Sequence, residues 1–184
     1  MPPPLASHWL LAHPGTPAPA VRELRVTVEP DPAQGGWWLR YTLRAALEAL
    51  RLPPPAAQPG PADGLWRHTC FEAFVGAARG AAYHEFNFSP SGHWAAYAFS
   101  APRQCASAGH LPLAPRLQWR QGVGTLTLDA WLPQGVLPSA NTPHALGLSA
   151  VIETDDGRLS YWALAHPAPQ PDFHHRAGWT ARLP

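Results

Sequence analysis

The sequence predicts an all-β domain: an antiparallel β-sandwich of about ten strands in two sheets, of the jelly-roll or immunoglobulin-like type. Two observations predict this fold. Apolar and polar residues alternate over several short segments, as they do in strands that turn one face toward a core. Turn motifs separate these segments at short intervals, which is typical of antiparallel sandwiches and barrels.

The alternation is clearest in four segments, and each has one apolar face. Their apolar residues are Leu24, Val26 and Val28; Leu39, Tyr41 and Leu43; Leu126, Leu128, Ala130 and Leu132; and Leu146, Leu148, Ala150 and Ile152. Asp155-Asp156-Gly157 follows the last segment and predicts a hairpin. Glycine and proline predict further turns at 76–80, 89–92 and 121–124.

Two stretches do not fit the alternation. Residues 43–52 carry leucines at helical spacing, so they form either a short helix or the end of a strand followed by a loop. Residues 53–64 are rich in proline, which is incompatible with a central strand. We interpret them as an exposed loop inside one domain spanning 1–184, because the preceding segment is too short to hold a core of its own.

Composition excludes several classes of function. The 184 residues carry 14% charged side chains and a formal net charge of +1, and all 13 basic residues are arginines. These arginines are scattered singly, which argues against a nucleic-acid partner that needs a basic patch. Without lysine, neither Schiff-base chemistry nor a Walker-type phosphate loop is available.

The cellular compartment and the absence of a metal site are predicted from sequence features that are missing: a cysteine framework, a signal peptide, a membrane span and a metal-binding motif. Cys70 and Cys105 are the two cysteines, too few for a disulfide framework or a zinc knuckle. The N-terminus has no pattern of a signal peptide, and no apolar run reaches membrane-spanning length. We therefore expect a cytoplasmic protein with no membrane partner. The ten histidines show no metal-binding spacing, so no metal site is predicted.

The most informative stretch is 65–99, where two predicted strands form a hairpin. Phe71, Ala73 and Val75 share one face of the first strand, and Phe86 and Phe88 share the matching face of the second. The opposite face gathers polar and aromatic side chains, with an entry formed by residues of 66–68. They are Trp66, His68, Glu72, Tyr83, Glu85 and Asn87. Carboxylates, an amide and flat rings on one face suit a hydroxylated small molecule.

This stretch resembles the DOMON-like group and the related family-9 carbohydrate-binding modules. The resemblance rests on Leu65-Trp66 with the strand at 69–74, on the strand and turn at 83–94, and on the closing segments 160–167 and 171–175. It implies a β-sandwich that binds sugar or haem. Trp66 and Glu72 match positions that contact sugar in the group, and Asn87 matches more weakly. Phe173 or Trp162 would supply a second aromatic, and His174 lies in the same closing segment.

Three functions follow as hypotheses. The first is a non-catalytic module that binds a small ligand, a sugar or sugar derivative, at Trp66, His68, Glu72, Glu85, Asn87, Trp162, Phe173 and His174, with no cofactor. The second is a haem-binding redox protein, which would need two histidine ligands because Met1 is the sole methionine. The third is a glycoside hydrolase that uses Glu72 and Glu85 as its acid pair.

Overall fold

The structure is a computed structural model that describes residues 6–112, 114–136 and 144–183. Within these ranges, twelve strands and four short 3₁₀ helices form. The strands are β1 (Ala6–Ala12), β2 (Val21–Pro30), β3 (Trp37–Ala45), β4 (Cys70–Ala77), β5 (Tyr83–Phe88), β6 (Trp94–Ala101), β7 (Gln104–Cys105), β8 (Arg116–Gly122), β9 (Thr125–Leu132), β10 (His144–Glu153), β11 (Leu159–Ala163) and β12 (Ala181–Leu183).

Alternation and turn chemistry explain these strands. Leu24, Val26 and Val28 are buried while their neighbours are half-exposed, as a period of two requires. The predicted hairpin at 155–157 joins β10 to β11, with Gly157 at a φ of 82°, where a side chain would be strained. The three other predicted turns likewise join β4 to β5, β5 to β6 and β8 to β9.

The segment at 43–52 combines both expected structures. The strand continues to Ala45, and a single 3₁₀ turn then forms at Leu47–Ala49. The proline-rich residues 53–64 form no strand and are mostly exposed or half-exposed. Among the described residues, no helix is long and apolar enough to cross a membrane.

The strands pair antiparallel in the order β7-β6-β5-β4-β10-β11-β1-β2-β3-β9-β8, and β12 pairs with β10. The all-β antiparallel prediction is confirmed. The prediction of about ten strands in two sheets is not: the described residues form twelve strands in one continuous sheet. β1 and β11 join its two halves through Leu11–Ala163 and Ala12–Trp162. Alternation identifies strands but not their lateral partners, and β7 and β12 are too short to alternate visibly.

The sheet curls so that its two halves pack on each other. The ring of Tyr41 on β3 lies 5.3 Å from that of Phe71 on β4, although four strands separate them in the sheet order. The Tyr41 hydroxyl donates a 2.7 Å hydrogen bond to the Glu72 carbonyl oxygen. The main core lies between the halves, and β4 and β5 therefore have their other faces turned away from it.

Candidate functional site

The outer face of the β4–β5 hairpin carries the polar side chains that the sequence groups together. Phe71 and Phe86 point into the main core, as the alternation predicts. The other face carries Glu72 opposite Asn87 and, one step along, Phe74 opposite Glu85. Diagonal neighbours on antiparallel strands lie roughly 7–8 Å apart at their Cα atoms, so Glu72 and Glu85 are close enough to share a ligand.

A cavity of about 440 Å³ lies over this face. Its size falls within the range of sites for small organic ligands. The carboxyl groups of Glu72 and Glu85 line it together with the Arg103 side chain and the ring of His174. Six further aromatic side chains complete its polar and aromatic lining, namely Trp66, Phe74, Tyr97, Phe99, Tyr161 and Phe173.

The C-terminal segment 171–179 covers one side of the cavity and is anchored by Trp179. The Trp179 indole packs so closely on the β10 backbone that a Cβ atom at Gly147 would lie 2.5 Å from its Cδ1 atom. Its Nε1–H donates a 2.8 Å hydrogen bond to the Phe173 carbonyl. The Arg176 guanidinium lies 4.6 Å from the indole centroid and donates to the Ala77 carbonyl. These contacts hold Phe173 and His174 against the sheet.

A series of polar contacts beside the cavity connects Arg103 to Asn87 through Tyr83, His174 and Glu85. The Arg103 backbone N–H donates to the Tyr83 hydroxyl at 3.2 Å, and that hydroxyl lies 2.6 Å from His174 Nδ1. His174 Nε2 lies 3.7 Å from Glu85 Oε2, and Asn87 Nδ2 donates to Glu85 Oε1 at 2.8 Å. In the tautomer that carries its proton on Nε2, His174 accepts a hydrogen bond from the Tyr83 hydroxyl at Nδ1.

Burial controls protonation along this series of contacts. It lowers the pKa of His174 to about 4, so the imidazole is neutral near pH 7. Burial also raises the pKa of Glu85 to about 7, although the Asn87 hydrogen bond and the charge of Arg103 act in the opposite direction. Glu85 therefore gains or loses its proton in the physiological range.

Glu72 is more isolated than Glu85. Its residue is 3% exposed, and burial, together with the charge of Glu85, raises its pKa well above the ordinary value. The Ser149 hydroxyl is near enough to lower this pKa slightly, yet it makes no hydrogen bond of regular geometry within the described residues. No described side chain forms an ion pair with Glu72, and the buried Asn87 Oδ1 atom has no hydrogen-bond partner there either.

The structure brings together six of the eight residues predicted for the site. Trp66, Glu72, Glu85, Phe173 and His174 line the cavity. Trp66 stands at its edge with 51% of its surface exposed, because it belongs to the 3₁₀ turn Leu65–Arg67 that precedes β4. Asn87 lies behind the lining and binds Glu85.

The other two predicted residues lie elsewhere. His68 follows the 3₁₀ turn in an extended conformation, and its Nδ1 atom is 2.8 Å from Glu153 Oε2. Trp162 is buried in the main core and donates from Nε1 to the Ser160 hydroxyl at 3.0 Å. Its neighbour Tyr161 faces the cavity instead, since adjacent residues of a strand point to opposite faces.

Sequence reasoning missed Tyr97, Phe99, Arg103 and Tyr161. Alternation along β11 could have found Tyr161, because the inward face of β10 was known and Tyr161 pairs with the outward Val151. Arg103 had no comparable signal, since it lies in the turn between β6 and β7. Among the described residues, no three His, Cys, Asp or Glu side chains come together as metal ligands would.

Comparison with known proteins relates this chain to a solved structure of similar fold. No family model and no curated protein matches the sequence. Among solved structures, the chain is similar to a putative carbohydrate-binding protein from Bacteroides uniformis ATCC 8492, with a TM-score of 0.62 and 15% identity. The match covers 95% of this chain and 84% of that one. At this identity the likeness shows a shared fold.

Proposed function

We propose that this chain is a non-catalytic carbohydrate-binding module, a DOMON-like domain similar to the family-9 modules, and that a sugar or sugar derivative binds in the cavity over β4 and β5. The observation that carries the proposal is the half-exposed Trp66 beside the two buried carboxyl groups of Glu72 and Glu85. A flat ring and a small number of fixed polar groups are what a ring-shaped, hydroxylated ligand requires.

The polar groups of the cavity suit hydroxyl groups of a ligand. Protonated Glu72 can donate one hydrogen bond and accept others, while the hydrogen bond from Asn87 orients the Glu85 carboxyl group. Such fixed groups lose little conformational entropy when a ligand arrives, which favours binding. The solved structure with the same fold carries a carbohydrate-binding name, and this adds modest support.

The test is a binding screen with purified protein. Mono- and disaccharides are measured by thermal shift and isothermal titration calorimetry against the wild type, Trp66→Ala and Glu72→Gln. Trp9→Ala is the matched control, because Trp9 is 54% exposed and does not line the cavity. We expect Trp66→Ala to weaken binding while Trp9→Ala leaves it unchanged. Glu72→Gln should reduce the binding free energy of a neutral saccharide by about 0.5–1.5 kcal/mol, the range for a hydrogen bond between uncharged groups, because Glu72 is protonated near pH 7.

Two results would oppose the proposal. Binding of no saccharide at millimolar concentration contradicts the function. Saccharide binding that is unaffected by both Trp66→Ala and Glu72→Gln contradicts the site. A haem-binding protein would instead show a Soret band after reconstitution with haem, and His174→Ala should then abolish that band.

A second candidate, glycoside hydrolysis, is favoured by one observation: Glu72 and Glu85 line the same cavity. Hydrolases of this class need one protonated and one ionised carboxyl group that flank the glycosidic bond. Release of reducing sugar by the wild type, lost in both Glu72→Gln and Glu85→Gln, would favour the enzyme. Binding without turnover favours the module.

A further inference from the structure

The cavity buries two carboxyl groups without a matching positive charge. Glu72 and Glu85 are 3% and 6% exposed. Among the described lining residues, Arg103 is the one arginine, and its guanidinium is directed to Asp172 at 2.9 Å with 64% of its side chain exposed. His174 is neutral near pH 7 because burial holds its pKa at about 4. A buried carboxylate is costly unless a cation or several donors reach it.

Aromatic side chains form much of the wall of the cavity. Six aromatic side chains line it, and the face of an aromatic ring attracts positive charge, most strongly where water is excluded. Tyr97 stands directly opposite Glu85 in the β5–β6 pairing, and Phe74 stands opposite Glu85 in the β4–β5 pairing. Rings therefore flank the Glu85 carboxyl group on both neighbouring strands.

Hydrogen-bond capacity on this face is also unused. The buried Asn87 Oδ1 atom, an acceptor, has no hydrogen-bond partner among the described residues. The Glu72 carboxyl group faces the cavity, and the Ser149 hydroxyl is the polar group beside it. An ammonium group offers three N–H donors and a positive charge, whereas a neutral hydroxyl group offers one donor and no charge.

We infer that the cavity is selective for a saccharide with a free protonated amine, an amino sugar, and that Glu72 and Glu85 receive the ammonium group. The inference rests on the proposed function and specifies its ligand class. The sugar ring lies against Trp66, and the ammonium group supplies the charge that the two carboxyl groups lack. Acetylation of the amine removes that charge and with it the selectivity.

Binding is then linked to release of a proton. Near pH 7 the empty site holds a proton on the carboxyl pair, since burial raises both pKa values. An arriving ammonium group stabilises the carboxylate form, so a carboxyl O–H bond breaks and its proton passes to solvent, while the amine keeps its own. The titratable and charged groups of the described residues that face or adjoin the pair are Tyr41, Cys70, Tyr83, Tyr97, Arg103, Cys105, Tyr161, Asp172 and His174.

Calorimetry with matched sugars tests the inference. Glucosamine, galactosamine and mannosamine are each compared with the parent hexose and the N-acetyl derivative at pH 6.5, in two buffers of different ionisation enthalpy. We expect the best-binding amino sugar to bind with an affinity roughly ten- to hundredfold higher than that of its parent hexose or its N-acetyl form. This is the gain in affinity that a charge-assisted hydrogen bond provides. The buffer dependence should show release of up to one proton for each ligand bound.

Variants separate this inference from the proposed function. Glu72→Gln and Glu85→Gln should each reduce the amine preference and the proton release, while Glu48→Gln, on an exposed residue outside the cavity, keeps both. Hexoses that bind as tightly as their amines, or amine binding without proton release, overturn the inference and leave the carbohydrate module standing. Binding of no saccharide overturns both.

Discussion

Two outer faces of the same sheet bury carboxyl groups in opposite ways. On β9, the Asp129 side chain is 7% exposed and accepts from Arg40 Nε at 2.6 Å and from Arg120 at 2.5 Å. Burial alone would raise the pKa of Asp129, but these hydrogen bonds hold it below the ordinary value. On β5, Glu85 is equally buried, and burial raises its pKa to about 7, since among the described residues no arginine forms an ion pair with it and the Asn87 hydrogen bond and the Arg103 charge offset burial only in part.

The difference shows that burial does not by itself mark a site. Glu153, whose side chain is 5% exposed, makes the same point, since Arg51 and His68 both bind its carboxylate. Asp129 and Glu153 form ion pairs with arginines of the fold, while among the described residues no arginine forms an ion pair with Glu72 or Glu85, and the Arg103 guanidinium at their cavity pairs with Asp172. A buried acid that the fold leaves uncompensated is a candidate for contact with a ligand.

The largest expected effect comes from Glu85→Gln, measured as stability against pH. The pKa of Glu85 is about 7 in the folded protein against an ordinary 4.5, so the folded state holds more protons between these values. The stability of the wild type therefore falls as pH rises through this window, and the variant is spared that loss. In urea unfolding, the free energy of unfolding of the variant minus that of the wild type should increase by on the order of 3 kcal/mol from pH 4 to pH 8. If the free energies of unfolding of the wild type and the variant change with pH in parallel, Glu85 is not buried without a compensating charge.

His174→Asn should give a smaller effect with the opposite dependence on pH. The pKa of His174 is about 4 when folded and 6.5 ordinarily, so the unfolded state binds more protons between these values. The wild type therefore loses stability as pH falls from 6.5 toward 4, whereas the variant does not. The difference should be on the order of 2 kcal/mol, reduced by partial exposure of the ring to solvent. If the advantage of the variant does not grow as pH falls, His174 is not held neutral by burial.

Asp129→Asn tests the paired face. Loss of the charge should weaken both arginine contacts and cost about 1 kcal/mol at pH 7, because both arginine side chains are half-exposed. The folded pKa of Asp129 is depressed, so the advantage of the wild type is present above the ordinary value of 3.8 and is lost as pH falls below it. Chemical unfolding at pH 7 and pH 3 measures this. If the wild type is still more stable than Asp129→Asn at pH 2, the difference in stability does not come from the charge of Asp129.

The smallest expected change in stability belongs to Trp66→Ala. Trp66 is half-exposed and stands at the rim, so its removal should cost no more than about 0.5 kcal/mol, as for most surface substitutions. Thermal unfolding with and without a bound saccharide separates this small cost from the loss of binding. A cost of about 3–5 kcal/mol would make Trp66 a packing residue instead of a ligand platform.

The sequence predicts local structure better than long-range structure here. Strand positions, the hairpin at 155–157 and the two faces of β4 and β5 all follow from alternation and turn residues, which act between near neighbours. The β1–β11 pairing that makes one sheet of two halves joins residues about 150 positions apart, and no local pattern specifies it.

The same limit explains the outcome for the candidate site. The positions of Glu72, Glu85 and Asn87 on β4 and β5 follow from strand alternation alone; five of the eight predicted residues line the cavity, and Asn87 lies directly behind them. His68 lies away from the cavity, where its ring contacts Glu153 on a strand distant in sequence. The arginines look scattered in the sequence, yet Arg40 and Arg120 converge on Asp129 once β3, β9 and β8 pair. Partners of charges are set by tertiary structure.

The hydrogen bond from the Tyr41 hydroxyl to the Glu72 carbonyl has an evolutionary consequence. Residue 72 presents its side chain to the cavity and its carbonyl oxygen to the opposite half of the sheet. Because every amino acid supplies a main-chain carbonyl, exchange of the Glu72 side chain leaves this hydrogen bond in place. Among diverging descendants of this chain, Tyr41 should therefore be kept while the residue at 72, and with it the ligand of the cavity, can change.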